Sequence, residues 1–246
     1  MLKLPLTEEE ARDAVIVALD CDRDEAFRLA DLLAGKARWV KVGMTLYYAY
    51  GPEMVRAMHD RGFKVFLDLK LHDIPFQIHG AAHSASMVGA DILSIHGLGG
   101  ADMVAQARAG VEEAAAERGD AGRTRLVAIS VLTSMDQAAL ASIGVDAPVA
   151  DEVARLAKLA VGAGSDGIVC SPKEAADMRA LLGPDAPSVT PGVRPAGAAL
   201  GDQKRVATPA AAIAAGASKL VIGRPITQAE DPAAAMEAIV AELTQA

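Results

Sequence analysis

Cysteine, aromatic residues and long apolar runs are all scarce in this chain, and each scarcity narrows what it does. Its two cysteines, Cys21 and Cys170, stand far apart and in no CxxC pattern, which gives no ground for a disulfide framework or a zinc knuckle. Aromatic side chains make up 3% of the 246 residues, too few for the stacking platforms that hold single-stranded nucleic acid. The 32 acidic residues outnumber 24 basic ones for a net charge of −8, whereas a phosphate backbone calls for a clustered positive field. No apolar run reaches the roughly 18 residues of a membrane span. The first seven residues are followed at once by Glu8-Glu9-Glu10, which is unlike a secretory leader. These absences predict a cytoplasmic protein with neither a nucleic-acid nor a membrane partner.

What is present is apolar and periodic. With 52% hydrophobic residues the chain has enough material for a large core, and its length suits one α/β barrel as well as two small domains. Short β-branched runs bounded by glycine, proline or charge predict eight strands, near 14–20, 39–43, 64–70, 91–97, 125–132, 167–171, 188–193 and 219–224, with alanine-rich helical stretches between them. Near-continuous apolar strands such as Ala14-Val15-Ile16-Val17-Ala18-Leu19 belong to parallel sheets covered by helices. Eight such units in about 250 residues is the arithmetic of a TIM (β/α)8 barrel forming one domain over residues 1–246. An open doubly wound sheet is the alternative, but no GxGxxG follows the first strand.

The stretch Phe66-Leu67-Asp68-Leu69-Lys70-Leu71-His72-Asp73-Ile74-Pro75 puts charges at the end of an otherwise buried strand. Strand alternation sets Asp68 and Lys70 on one face and Leu67 and Leu69 on the other. Read alone, this is equally a surface ion pair, with Asp73 capping the next helix. Other predicted strands also end in polar groups: Asp20, Lys41, His96, Thr133, Ser171, Pro191 to Arg194, and Gly223-Arg224. In a barrel those ends converge on one mouth, where barrel enzymes keep their chemistry.

Two segments suit a phosphate. Lys219 to Thr227 reads as a strand, a Gly223-Arg224 turn and a short helix, in which backbone N–H groups and a guanidinium together favour an anion. After the seventh strand, Pro191 to Gln203 is too rich in glycine and proline for a helix and long for a simple connection; it reads as a lid whose ends, Arg194 and Gln203, reach a ligand phosphate on closing.

In this order the motifs resemble the orotidine 5′-phosphate decarboxylase family of bacterial type. They are Ala18-Leu19-Asp20, Lys41-Val42-Gly43-Met44, the Phe66 to Pro75 stretch with its Asp-x-Lys-x-x-Asp-Ile-Pro core, Val131-Leu132-Thr133-Ser134, Thr190 to Arg194, Gly201-Asp202-Gln203, and Val221 to Thr227. The resemblance spans almost the whole chain and implies a TIM barrel that works as a homodimer without a cofactor or metal, converting orotidine 5′-phosphate to uridine 5′-phosphate and CO2 in pyrimidine biosynthesis. It implies that Asp20 binds the ribose or pyrimidine side, Lys41 a ribose hydroxyl, and that Asp68 faces the substrate carboxylate. Lys70 becomes the proton donor. Asp73 and Ile74 enter the neighbouring subunit's site, Asp73 completing a Lys41-Asp68-Lys70-Asp73 array. Thr133 meets the pyrimidine, Pro191 lines the substrate site, and Arg194, Gln203, Gly223 and Arg224 hold the phosphate. Family members usually follow Asp-Ile-Pro with a small polar residue and a threonine that reaches the partner's ribose. Here Phe76-Gln77 stands instead, and Gln77 offers an amide in its place.

His79 and His83 are spaced i, i+4 like metal ligands but lack a third, so they read as one helix face. Two rivals share part of the pattern. Metal-dependent sugar-phosphate decarboxylases, aldolases and epimerases carry the Asp-x-Lys-x-x-Asp spacing, but in the decarboxylase relative an acidic residue stands at the position of Lys41, and a lysine cannot ligate Mg²⁺. A catalytically silent nucleotide-binding barrel has no need of so costly a charge set.

Overall fold

The computed structural model describes residues 2–119, 122–195 and 207–246. Eight parallel strands close into a barrel in sequence order: β1 (Val15–Leu19), β2 (Trp39–Gly43), β3 (Lys64–Leu71), β4 (Ile92–His96), β5 (Arg125–Ile129), β6 (Gly167–Val169), β7 (Ser188–Pro191) and β8 (Lys219–Ile222). The barrel shuts where Val15 pairs with Leu220 and Val17 with Ile222. The predicted strands all exist, and most are shorter than expected. The fifth stops at Ile129, so Val131 to Thr133 form the turn beyond it.

Period-two alternation divides every strand between two cores. Ile16, Ala18, Trp39, Phe66, Ile92, Val127, Ile129, Val169, Val189 and Val221 point inward and fill the barrel. Val15, Val17, Leu19, Val40, Val42, Leu67, Leu93 and Leu220 point outward, where they pack with helix residues such as Leu29, Leu33, Met54, Ile78 and Val111. Burying both faces explains why these strands read as continuous apolar runs.

The helices start on clear signals. Thr7 and Glu10 form a reciprocal capping box below β1, and Asp22, Asp136, Thr208 and Asp231 each accept a backbone N–H at a helix start. The helix Pro75–Met87 begins with proline at its first position and has Ile74, not Asp73, as its N-cap. Gly110 of the helix Gly100–Arg118 lies so close to that neighbour that an added Cβ would stand 2.3 Å from the His79 carbonyl. His79 and His83 meet Glu113 and Glu117 of the same facing helix, each at 3.2 Å.

Charge also stands at the N-terminal ends of strands. Lys64, Arg125 and Lys219 open β3, β5 and β8.

Candidate active site

The C-terminal mouth opens on a cavity of about 580 Å³, a normal size for a small-molecule site. Its wall includes Asp20, Lys41, Asp68, Lys70, Thr133, Pro191, Arg194, Gly223 and Arg224, brought together from six strands and their following turns. Gln203 lies outside the described residues.

Across the cavity floor runs a chain of alternating charge. The Lys41 ammonium donates to Asp20 Oδ1 at 2.7 Å and stands 3.6 Å from Asp68 Oδ2, while Lys70 Nζ reaches that same Asp68 oxygen at 2.7 Å. Lys41 and Asp68 are buried, whereas Asp20 reaches solvent and Lys70 is half-buried at the cavity. Burial by itself would raise the Asp68 pKa. The fields of Lys41 and Lys70, with hydrogen bonds from Lys70 and Ser94, outweigh it and hold the carboxyl below its ordinary value. Asp68 is therefore an anion at neutral pH, gripped from two sides by cations.

Gly43 is small for a local reason. A Cβ there would lie 3.0 Å from Lys41 Nζ and 3.2 Å from Asp20 Oδ1, so a side chain would press on this ion pair.

Lys70 has φ +51°, the left-handed region that non-glycine residues rarely enter. The β3–β4 register shifts between Leu67 and Leu71, and the Lys70 N–H donates to Ser94 Oγ at 2.8 Å. The Ser94 hydroxyl donates in turn to Asp68 Oδ1 at 2.8 Å. Sequence reasoning missed Ser94, although a serine inside Ile92-Leu93-Ser94-Ile95 was a legible signal of a polar group pointing into the barrel. It also left His96 without a role. Its ring stacks on His72, centroids 5.2 Å apart, and burial, then His72 and Lys70, bring its pKa down to about 4.

Beside β1, the Gly223-Arg224 turn takes the expected form. Gly223 precedes the short helix Arg224–Thr227, whose first turn presents Arg224 to the cavity. The Arg194 side chain is buried and donates to the Val193 carbonyl at 2.9 Å.

Asp73, Ile74 and Gln77 do not line this cavity. They lie exposed at the start of the helix after β3, where Asp73 Oδ1 accepts the Ile74 N–H at 2.6 Å. Phe76 beside them is 81% exposed and Ile74 61%, an unusual way to leave large apolar side chains.

A family model described as "Orotidine 5'-phosphate decarboxylase / HUMPS family" matches residues 13–239. The chain belongs to this family. A curated relative from Thermobifida fusca (strain YX), named orotidine 5'-phosphate decarboxylase, is 53% identical over 231 residues, covering 93% of this chain and 95% of its own. One of the same name from Halorhodospira halophila is 51% identical, covering 94% and 96%. The crystal structure of orotidine 5'-phosphate decarboxylase from Lactobacillus acidophilus superposes with a TM-score of 0.83 at 36% identity, covering 95% of this chain and all of that one. In the orotidine 5'-phosphate decarboxylase / HUMPS family, then, this chain presents its charge chain and its Gly-Arg turn in the wall of one cavity.

Proposed function

We propose that the protein decarboxylates orotidine 5′-phosphate to uridine 5′-phosphate and CO2 in pyrimidine biosynthesis, without a metal or cofactor, residues 1–246 acting as one catalytic domain. The observation that carries this reading is the pair of lysines converging on a single Asp68 oxygen in a cavity that also exposes Arg224. With the 5′-phosphate at Gly223, Arg224, Arg194 and Gln203, the ring extends past Pro191 and Thr133 toward the charge chain. Asp20 takes the ribose or the pyrimidine side, and Lys41 a ribose hydroxyl. The substrate carboxylate then faces Asp68, and their repulsion is relieved as the bond to the ring carbon breaks and CO2 leaves. The electron pair left on that carbon is stabilised by the Lys70 ammonium and takes its proton. Solvent reprotonates the lysine after product departs.

Support for metal-free chemistry comes from the donor set. Mg²⁺ requires oxygen ligands, whereas the inward oxygen of Asp68 is occupied by two ammonium groups.

Support for a homodimer comes from the residues left outside the cavity. Asp73, Ile74 and Gln77 are exposed, as are the apolar side chains of Met44, Tyr48, Phe76, Leu98 and Leu132, a composition that suits burial against a second copy. In that arrangement Asp73 completes the neighbour's charge array, and Ile74 and Gln77 border its ribose. Among the described residues no helix is long and apolar enough to cross a membrane.

Release of CO2 from orotidine 5′-phosphate, measured with and without chelator, tests the reaction: equal rates are expected, and a chelator-abolished rate restored by Mg²⁺ overturns the metal-free assignment. Mixing Lys70→Ala with Asp73→Ala protein tests the shared site. A hybrid dimer has one site with both lesions and one intact, so free exchange of equal amounts should recover roughly a quarter of parent activity. Exchange without recovery would place Asp73 in its own chain's site.

A further inference from the structure

We propose that Ser94 is a positioning residue for the reaction, its buried hydroxyl fixing the Asp68 carboxylate and the Lys70 backbone to each other across two strands. The kinetic consequence rests on the decarboxylase reading; the geometry does not.

A regular strand would send the Lys70 N–H to a carbonyl of β4. Here the left-handed turn at Lys70 interrupts the ladder, and an unpaired N–H at that depth would be costly. Ser94 Oγ accepts it at 2.8 Å. A non-glycine residue stays in the left-handed region only when its surroundings impose it, and this bond is one that does so.

A serine hydroxyl has one proton to give. Ser94 gives it to Asp68 Oδ1 at 2.8 Å, which leaves Oδ2 for the two lysines. The two carboxylate oxygens are thereby assigned, one to a neutral donor and one to the cations. The carboxylate plane is fixed, and with it the oxygen that aims Lys70. The direction of Lys70 is thus set twice through Ser94, once by its backbone and once by its counter-ion.

The ordinary role of a buried serine is visible elsewhere in the barrel. Ser130, Ser165 and Ser188 donate to backbone carbonyls of Val169, of Leu126 and Gly167, and of Gly216. Ser94, which is fully buried, joins a carboxylate to the backbone of a charged residue instead.

The test compares Ser94→Ala, the nearly isosteric Ser94→Cys and the hydroxyl-keeping Ser94→Thr with the parent enzyme. For Ala and Cys, kcat for CO2 release from orotidine 5′-phosphate should fall roughly 10–100-fold with KM within about threefold, the pattern of a displaced catalytic group. Thr should recover most of kcat. Because the hydroxyl helps hold Asp68 ionised, its loss should move the acid limb of the kcat/KM profile to higher pH. The Asp68 carboxyl titration, followed by ¹³C NMR in the free protein, should move the same way. Cys covers the case in which Ala folds poorly. A Cys enzyme as active as the parent, or an unmoved Asp68 titration in a variant that has lost the donor, overturns the proposal. If the parent itself releases no CO2, the functional reading fails, and the NMR titration still decides whether Ser94 governs Asp68.

Discussion

The barrel carries a charge cluster at each end, and the two are built on opposite logic. At the N-terminal end, Asp13 accepts from the Lys219 ammonium at 2.6 Å and the Trp39 indole N–H at 2.9 Å, and pairs with Arg38 at 3.2 Å. Asp166 accepts from Arg123, from Arg108 and from the Leu126 N–H. Asp91 takes the Val65 N–H at 2.8 Å. These carboxylates tie strand starts to side chains of neighbouring elements and bind both charges and backbone. At the C-terminal end, Asp20, Lys41, Asp68 and Lys70 form a single file whose last cation borders an open cavity. The difference teaches how to tell a structural charge network from a functional one within a single barrel. Both ends open on a recess; what separates them is that the N-terminal carboxylates bind backbone N–H groups of strand starts as well as cations, whereas the C-terminal file is held side chain to side chain and ends on the Lys70 ammonium.

Breaking the file at its cavity end gives the largest effect. Lys70→Ala should lower kcat by at least about 10³-fold, since it removes both charge stabilisation and the proton. A variant retaining a tenth of parent kcat would remove Lys70 from the central role.

At the opposite end the same kind of deletion should act on stability instead. Asp166→Ala leaves Arg123 and Arg108 without their shared carboxylate and the Leu126 N–H without its acceptor. Chemical denaturation should show a loss of about 3–5 kcal/mol, the range for breaking a substantially buried pair, with kcat per folded molecule unchanged. Loss of kcat without loss of stability would erase the distinction between the two ends.

Arg224→Ala sharpens the comparison within the mouth. It should lower kcat/KM by roughly 1.5–3 kcal/mol, the scale of a charge-assisted hydrogen bond. A substrate lacking phosphate should be turned over equally by variant and parent; an equal deficit on both substrates would signal a structural role.

His96 supplies the smallest effect and a pH dependence peculiar to the mouth. Its folded pKa of about 4 lies below the ordinary 6.5, so the folded state favours the neutral ring. The stability associated with that ring is complete above pH 6.5 and is lost as pH falls toward 4, because the unfolded chain takes up a proton that the folded one does not. Between pH 7 and pH 4.5 the parent should lose on the order of 2 kcal/mol more than His96→Gln. Parallel stability curves for the two proteins would place the His96–His72 stack in a more open setting.

Much of this was legible in the chain. The eight apolar runs, the shared face of Asp68 and Lys70, and the Gly223-Arg224 turn followed from periodicity and turn chemistry, which are local properties. Asp20, Lys41, Asp68, Lys70, Thr133, Arg194 and Arg224 were visible as polar groups at strand ends, and the structure brings them to one cavity together with Pro191. The second charge cluster was not legible as such. Lys64, Arg125 and Lys219 look like ordinary flanking charges until closure turns them toward one another and toward Trp39, over which Lys64 and Lys219 stand at 5.3 and 4.6 Å. Ser94 was legible only as a polar group pointing into the barrel, because nothing in Ile92-Leu93-Ser94-Ile95 tells which residues of another strand it will face.

By itself, then, the sequence determined which segments become strands, which residues of a strand share a face and which residues carry charge, since each depends on neighbours a few positions away. Only the closed barrel decided that Lys41 and Lys70 share one oxygen of Asp68, that Ser94 takes the other, and that Asp73 stands outside. Those relations depend on strand register, on a left-handed residue that shifts it, and on the curvature that brings the first strand back to the eighth. They are long-range consequences of packing, with no counterpart in the spacing along the chain.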